Sequence, residues 1–195
     1  MTEREQPYVS PWWQAILLPD RWDVAGVSVP SLSVWHVFAL DQIGNAYARG
    51  FPPTRDDAAA LLLFAERDLA GGRRLMLGRF RRTRAMRRMH RLLRKIPWPD
   101  LHAACRDYVE TCGRVPSRGE KAGEPALPAK CPGEWHIIRR LCMDFGMGLE
   151  EAWNTPYALA RCLNDVSAEA NGDRSLLNET EQEIEDEWVK AGRTA

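Results

Sequence analysis

A chain of 195 residues that is 45% hydrophobic and 28% charged, with a formal net charge of zero, has the composition of a folded domain rather than a disordered one. No run of about 18 apolar residues is present, which excludes a transmembrane helix, and the charged start "MTEREQPYVSPWW" lacks the apolar stretch of an export signal. The expectation from these features is a protein that is cytoplasmic or carried in an assembly made in the cytoplasm.

Read in chain order, the first thirty residues hold two short apolar runs, "AILLPD" and "WDVAGVSVP", bounded by Pro, Asp and Gly. They read either as brief strands of a β-hairpin or as extended wrapping segments. Eight Trp are many for this length, and the crowding of Trp12, Trp13, Trp22 and Trp35 near the N-terminus favours a packed start. The period then changes: Leu32, Trp35, Val37, Phe38, Ile43 and Tyr47 follow mostly helical spacing, with Ser31 or Ser33 as N-cap and Gly50 just beyond. His36 lies within that apolar helix, where a hydrogen-bonded structural histidine fits better than a catalytic base.

"PPTRDDAAALLLFAERDL" predicts a clearer helix, capped by Thr54, with Asp56 and Asp57 in the first turn where the helix dipole favours negative charge. The glycines of "AGG" at 70–72 are read as its end. Residues 73–95 follow, with eleven Arg and Lys and no Asp or Glu. On a helical projection Ala85, Met86, Met89, Leu92, Leu93 and Ile96 share one side, and Arg84, Arg87, Arg88, Arg91, Arg94 and Lys95 share the other. Arg79 and Arg82 fall on the apolar side and Gly78 weakens the helix there, so the expectation is a loose turn followed by about three turns of helix. Pro97 and Pro99 stop that helix and start the next, "DLHAACRDYVETCG", which Gly113 ends.

Residues 114–132 carry four Pro and two Gly and read as a linker or long loop. They divide the chain into an N-terminal helical domain, 1–113, and a C-terminal helical unit, 133–195. The latter opens with a helix presenting Trp135, Ile138, Leu141, Cys142 and Phe145, continues through a compact link, and enters a helix with Thr155 as cap and Pro156 at its first position. The tail places six acids between 179 and 187 and reads as a last helix. The fold class is mainly α: a multi-helix domain with a short N-terminal hairpin and a small C-terminal helical unit.

Catalytic signatures are missing: no G-x-S-x-G, phosphate-cradling glycine loop or H-E-x-x-H occurs. Five Cys without a C-x-x-C pair read as reduced, buried thiols rather than a metal site. The reading is a non-enzyme that needs no cofactor and no metal. Six like charges on one helix face repel one another, which a purely structural helix has no need to tolerate. They read either as the solvated face of a helix packed by its apolar side or as a surface for a partner: nucleic-acid phosphates, an anionic membrane, or an acidic protein surface that includes this chain's own tail, within the molecule or across a homo-oligomer. The last two helices have the outline of a helix-turn-helix, but the second opens with Thr155, Pro156, Tyr157 and Ala158, with only Arg161 a turn later and Asp165 beyond, which disfavours base reading.

The stretch 134–173 resembles the C-terminal part of tail assembly chaperones of tailed phages and prophages. It carries a helix ending at Phe145 and Gly146, a turn from Leu149 to Trp153, Pro156 opening the next helix, and an end at Ala168 to Asp173. "AILLPDRWDVAGVSVPSLSVWHVFALDQIGNAYARG" is similar to a segment of phage-encoded proteins. The resemblance implies a non-enzymatic helical protein that holds a helical tape-measure-like client during virion assembly. In that picture Arg84, Arg87, Arg88, Arg91, Arg94 and Lys95 form a charged rim, and Trp135 and Trp153 supply apolar contact; core packing is the competing role for both tryptophans. The alternative is a nucleic-acid-binding accessory protein that uses the Arg-rich helix 79–95 on phosphates.

Overall fold

A computed structural model describes residues 11–114, 132–171 and position 184, with backbone alone at positions 11 and 12. Among these residues the protein is mainly helical, with a single two-stranded antiparallel sheet near the N-terminus. Except for Arg114 and Pro132, the 114–132 linker lies outside the described residues, as does the acidic tail apart from Ile184.

"AILLPD" contributes the end of a short helix, α1 (Pro11–Ile16), rather than a strand. "WDVAGVSVP" makes the hairpin by itself. Strands β1 (Trp22–Val24) and β2 (Val27–Val29) pair Trp22 with Val29 and Val24 with Val27. The two-residue turn holds Ala25 and Gly26 at φ of 54° and 79°, the left-handed conformation that a tight hairpin requires at both central positions. Asp23 Oδ1 accepts the Gly26 N–H at 2.7 Å and fixes the turn. Strand alternation buries Val24, Val27 and Val29 against the helices.

The predicted long helix after Ser33 is two helices, α2 (Val34–Gln42) and α3 (Ala46–Arg49). Gly44 at φ 71° turns the chain between them, and Asn45 caps α3 by accepting the Tyr47 N–H. Helix α4 (Arg55–Ala65) starts as its sequence predicts: Thr54 and Asp57 form a reciprocal capping box. Asp57 also accepts the Ala46 N–H at 3.1 Å, which ties α3 to α4. Burial opposes ionisation of its carboxyl, but the bonds from Thr54 and Ala46 outweigh it and hold the pKa below the usual value.

Residues 70–72 do not end α4. That helix stops at Ala65, and a new one, α5 (Leu69–Leu77), runs through both glycines. Asp68 is its N-cap, accepting the Gly71 N–H at 2.7 Å. Gly72 is required by packing: a Cβ there would lie 2.1 Å from the buried Trp35 ring. The following turn is minimal, and α6 (Arg79–Leu93) is helical from Arg79 onward, longer at its start than the charge pattern suggested. Helix α7 (Trp98–Gly113) follows, then α8 (Gly133–Asp144), α9 (Leu149–Asn154) and α10 (Tyr157–Ala170).

Thr155 is not a cap. Pro156 holds that place, and the Thr155 carbonyl instead accepts the Val34 N–H at 3.1 Å while Tyr157 N–H donates to Leu32 O at 2.7 Å. This antiparallel bridge between Ser33 and Pro156 fastens the start of α10 to the start of α2. One apolar core draws on both sides of the 114–132 segment, joining the hairpin valines, α4, Cys105 and Tyr108 of α7, Ile138 and Leu141 of α8, and Trp153 of α9. No described helix is long and apolar enough to cross a membrane.

Candidate functional site: an apolar groove beside a cationic helix

Helix α6 lies on α4 through a narrow apolar edge. Met89 and Leu93 are buried, Ala85, Met86 and Ile96 are half-buried, and Leu92, expected inside, is exposed. Arg82 is half-buried on that same side, as its register requires. The end of α6 is held by Arg55, whose guanidinium donates to the carbonyls of Leu93 and Ile96 at 3.4 and 2.8 Å. This satisfies acceptors that a helix end leaves open.

Arg84, Arg87, Arg88, Arg91, Arg94 and Lys95 are all exposed. Among the described residues none of them forms an ion pair. Arg84, Arg87, Arg88, Arg91 and Arg94 border three surfaces that share residues. Arg84, Arg88 and Arg91 line a cleft of about 720 Å³ between α6, α4 and the hairpin, together with Arg21, Arg67 and Arg81; Glu66 is its one acid. Arg87 lines a neighbouring open surface with Arg79 and Phe80, the latter 91% exposed, and Arg84 and Arg91 border this surface as well. Arg94 borders a small recess with Arg55 and His90. Lys95 lies beyond the helix end.

Trp135 and Trp153 come together. Their rings meet edge to face at 5.1 Å, and Trp153 also packs on Phe38 at 5.4 Å. Trp153 is only 6% exposed and belongs mainly to the core, whereas Trp135 is 45% exposed. Both line an open groove of about 770 Å³ formed by α2, α5, α8 and α9. Its wall along α5 consists of Leu69, Met76 and Leu77, the last 85% exposed. Leu149 adds a further exposed apolar side chain, and Arg73 and Glu150 stand at the rim.

The α5 contribution is not legible in the sequence, where the glycines at 70–72 read as a helix end. The signal that could have found it is Asp68 as a cap, followed by Leu69 and Met76 seven residues apart, hence on one face.

The titratable groups are arranged for structure. His36 Nε2 lies 2.6 Å from the Arg67 carbonyl, an acceptor only, so Nε2 carries the proton. Nδ1 is then the acceptor for the Ser33 backbone N–H and hydroxyl at 2.9 and 3.0 Å. Burial of the ring lowers its pKa, although the Arg67 carbonyl and Asp68 pull the other way. Burial pushes the thiols of Cys105, Cys112 and Cys162 each up to about 11, so they are neutral at ordinary pH and poor nucleophiles. Among the described residues no group of three or more His, Cys, Asp or Glu is placed to hold a metal ion.

No protein-family profile, curated protein or solved structure matches the chain.

Proposed function

We propose that the protein acts by binding rather than by catalysis, holding an amphipathic helix of a client protein in the groove between α2, α5, α8 and α9. The observation that carries this reading is the groove's composition. An apolar floor of Phe38, Met76 and Trp153 is flanked by the exposed Leu77, Trp135 and Leu149. An exposed apolar channel of this kind suits the apolar stripe of a helix. The cationic face of α6, the next helix along the chain, suits acidic residues beside that stripe. The resemblance of 134–173 to tail assembly chaperones gives the setting: a phage or prophage protein whose client is tape-measure-like, a long helical protein, in the cytoplasm of a bacterial host.

The second reading is nucleic-acid binding, and the specific observation behind it is the set of α6 arginines without carboxylate partners among the described residues. Affinity purification from the host, with and without nuclease, separates the two. On the client reading a long helical protein co-purifies through nuclease treatment, and the Leu77→Asp, Trp135→Asp variant loses it while remaining folded. Recovery of nucleic acid alone, unaffected by those substitutions and abolished by Arg87→Glu, Arg88→Glu, Arg91→Glu, would replace the client reading with the second one.

A further inference from the structure

We propose that the cationic cleft of α6 is occupied, in the same molecule, by this chain's own acidic segment 179–187, so that any external polyanion has to displace it. This assignment concerns the α6 cleft and does not depend on what fills the apolar groove.

Three observations converge. Residues 79–95 supply nine Arg and Lys and no acid, while the whole chain is neutral, so the counter-charge belongs to the chain itself. Part of it is concentrated: 172–195 has a net charge of −4, from seven acids and three bases, with six of the acids packed into 179–187. The cleft is built for carboxylates. Arg84, Arg88 and Arg91 face Arg21 and Arg67 across about 720 Å³, with Glu66 as its single acid. Guanidinium groups are the side chains best suited to bidentate carboxylate pairing.

The tether is long. Helix α10 ends at Ala170, and Glu183 lies twelve residues beyond Asn171. Twelve residues span up to roughly 40 Å when extended, against a radius of gyration of about 15 Å for a domain of this size. Tethering at that length gives an effective concentration on the order of millimolar, which favours the chain's own segment over a weakly bound free polyanion. The contact rests on charge, since six arginines and one acid line the cleft. It should therefore weaken steeply with salt.

The test replaces Ile184 with the photo-crosslinking residue p-benzoylphenylalanine in the full-length chain. At about 50 mM salt, irradiation should give intramolecular links to residues 79–95, mapped by mass spectrometry. Their yield should fall about tenfold at roughly 1 M salt, and equally in Arg84→Glu, Arg88→Glu, Arg91→Glu. Links concentrated elsewhere, or a yield indifferent to salt, would overturn the proposal. So would links only between molecules that vanish on dilution, which would place the segment on a second copy.

A second readout avoids altering the folded part. Glu179, Glu181, Glu183, Glu185 and Glu187 are changed to Gln, and Asp186 to Asn. This variant should bind a labelled dodecameric polyglutamate about tenfold more tightly than wild type at low salt, the two converging as salt rises. Equal affinity at low salt would sink the idea.

Discussion

The proton on His36 is set by its two neighbours. Arg67 O can only accept, so it takes the Nε2 proton, and Ser33 donates to Nδ1. A second proton on the buried ring would turn Nδ1 from acceptor into donor and oppose the Ser33 N–H. Burial adds to this by penalising the charged form, and the pKa falls below the ordinary 6.5. The unfolded chain, whose histidine keeps the ordinary value, therefore binds more protons than the native state below that pH. Stability supplied by His36 is complete above about 6.5 and is lost as pH falls from there toward the lowered native value. Denaturant melts between pH 7.5 and 5 should show a falling midpoint in wild type, and a shallower fall in His36→Gln, whose amide does not titrate. Equal slopes would remove His36 from the acid sensitivity. The structural role was legible from an isolated histidine on an apolar helix; the partner Arg67, 31 residues away, was not.

Helices were legible where local chemistry sets their ends, and not where tertiary contact does. The Thr54–Asp57 box announces α4, because both partners lie within one turn. Pro97 and Pro99 likewise mark the start of α7. Helix α5 contradicts local propensity, since two consecutive glycines near its start cost about 1 kcal/mol each against alanine. Gly72 stays because the Trp35 ring fills the space a side chain would take. That contact joins positions 37 residues apart, and no window of sequence displays it. Gly72→Ala should consequently destabilise the protein by about 1–3 kcal/mol despite its better helix propensity, as overpacking in a closed site does. Gly71 is its control: a Cβ there meets mainly its own cap, Asp68, and the side chain of Arg67. Urea denaturation of the two alanine variants tests this. A Gly72→Ala midpoint equal to or above wild type would mean that Trp35 shifts freely, and the groove wall it supports would then be soft. The groove was illegible for a related reason: its walls come from residues 35–38, 69–77, 135 and 149–153.

At the scale of the whole molecule, the charge on α6 separates stability from binding. Arg84, Arg88 and Arg91 stand three and four residues apart on one exposed helix face, where like charges are mutually destabilising. A helix kept for packing alone would gain from an acid at the middle position. Arg88→Glu turns two repulsions into two attractions, which in the isolated helix face amounts to about 0.5–1 kcal/mol at low salt. If segment 179–187 lies in the cleft, its carboxylates already relieve part of that repulsion, and the gain shrinks. The comparison is therefore made in two backgrounds, the wild-type tail and the tail with its six acids changed to amides. The expected result is a larger stabilisation by Arg88→Glu in the amide background, disappearing as salt screens the surface. Polyglutamate binding should weaken in both. A substitution that stabilises the fold while removing an interaction marks its residue as retained for binding, because folding alone would have favoured its loss. Were Arg88→Glu instead to destabilise both backgrounds alike at every salt concentration, the arginines would be serving the packing of α6 on α4. The cationic cleft would then lose its claim to a ligand, whether the chain's own tail or an external one.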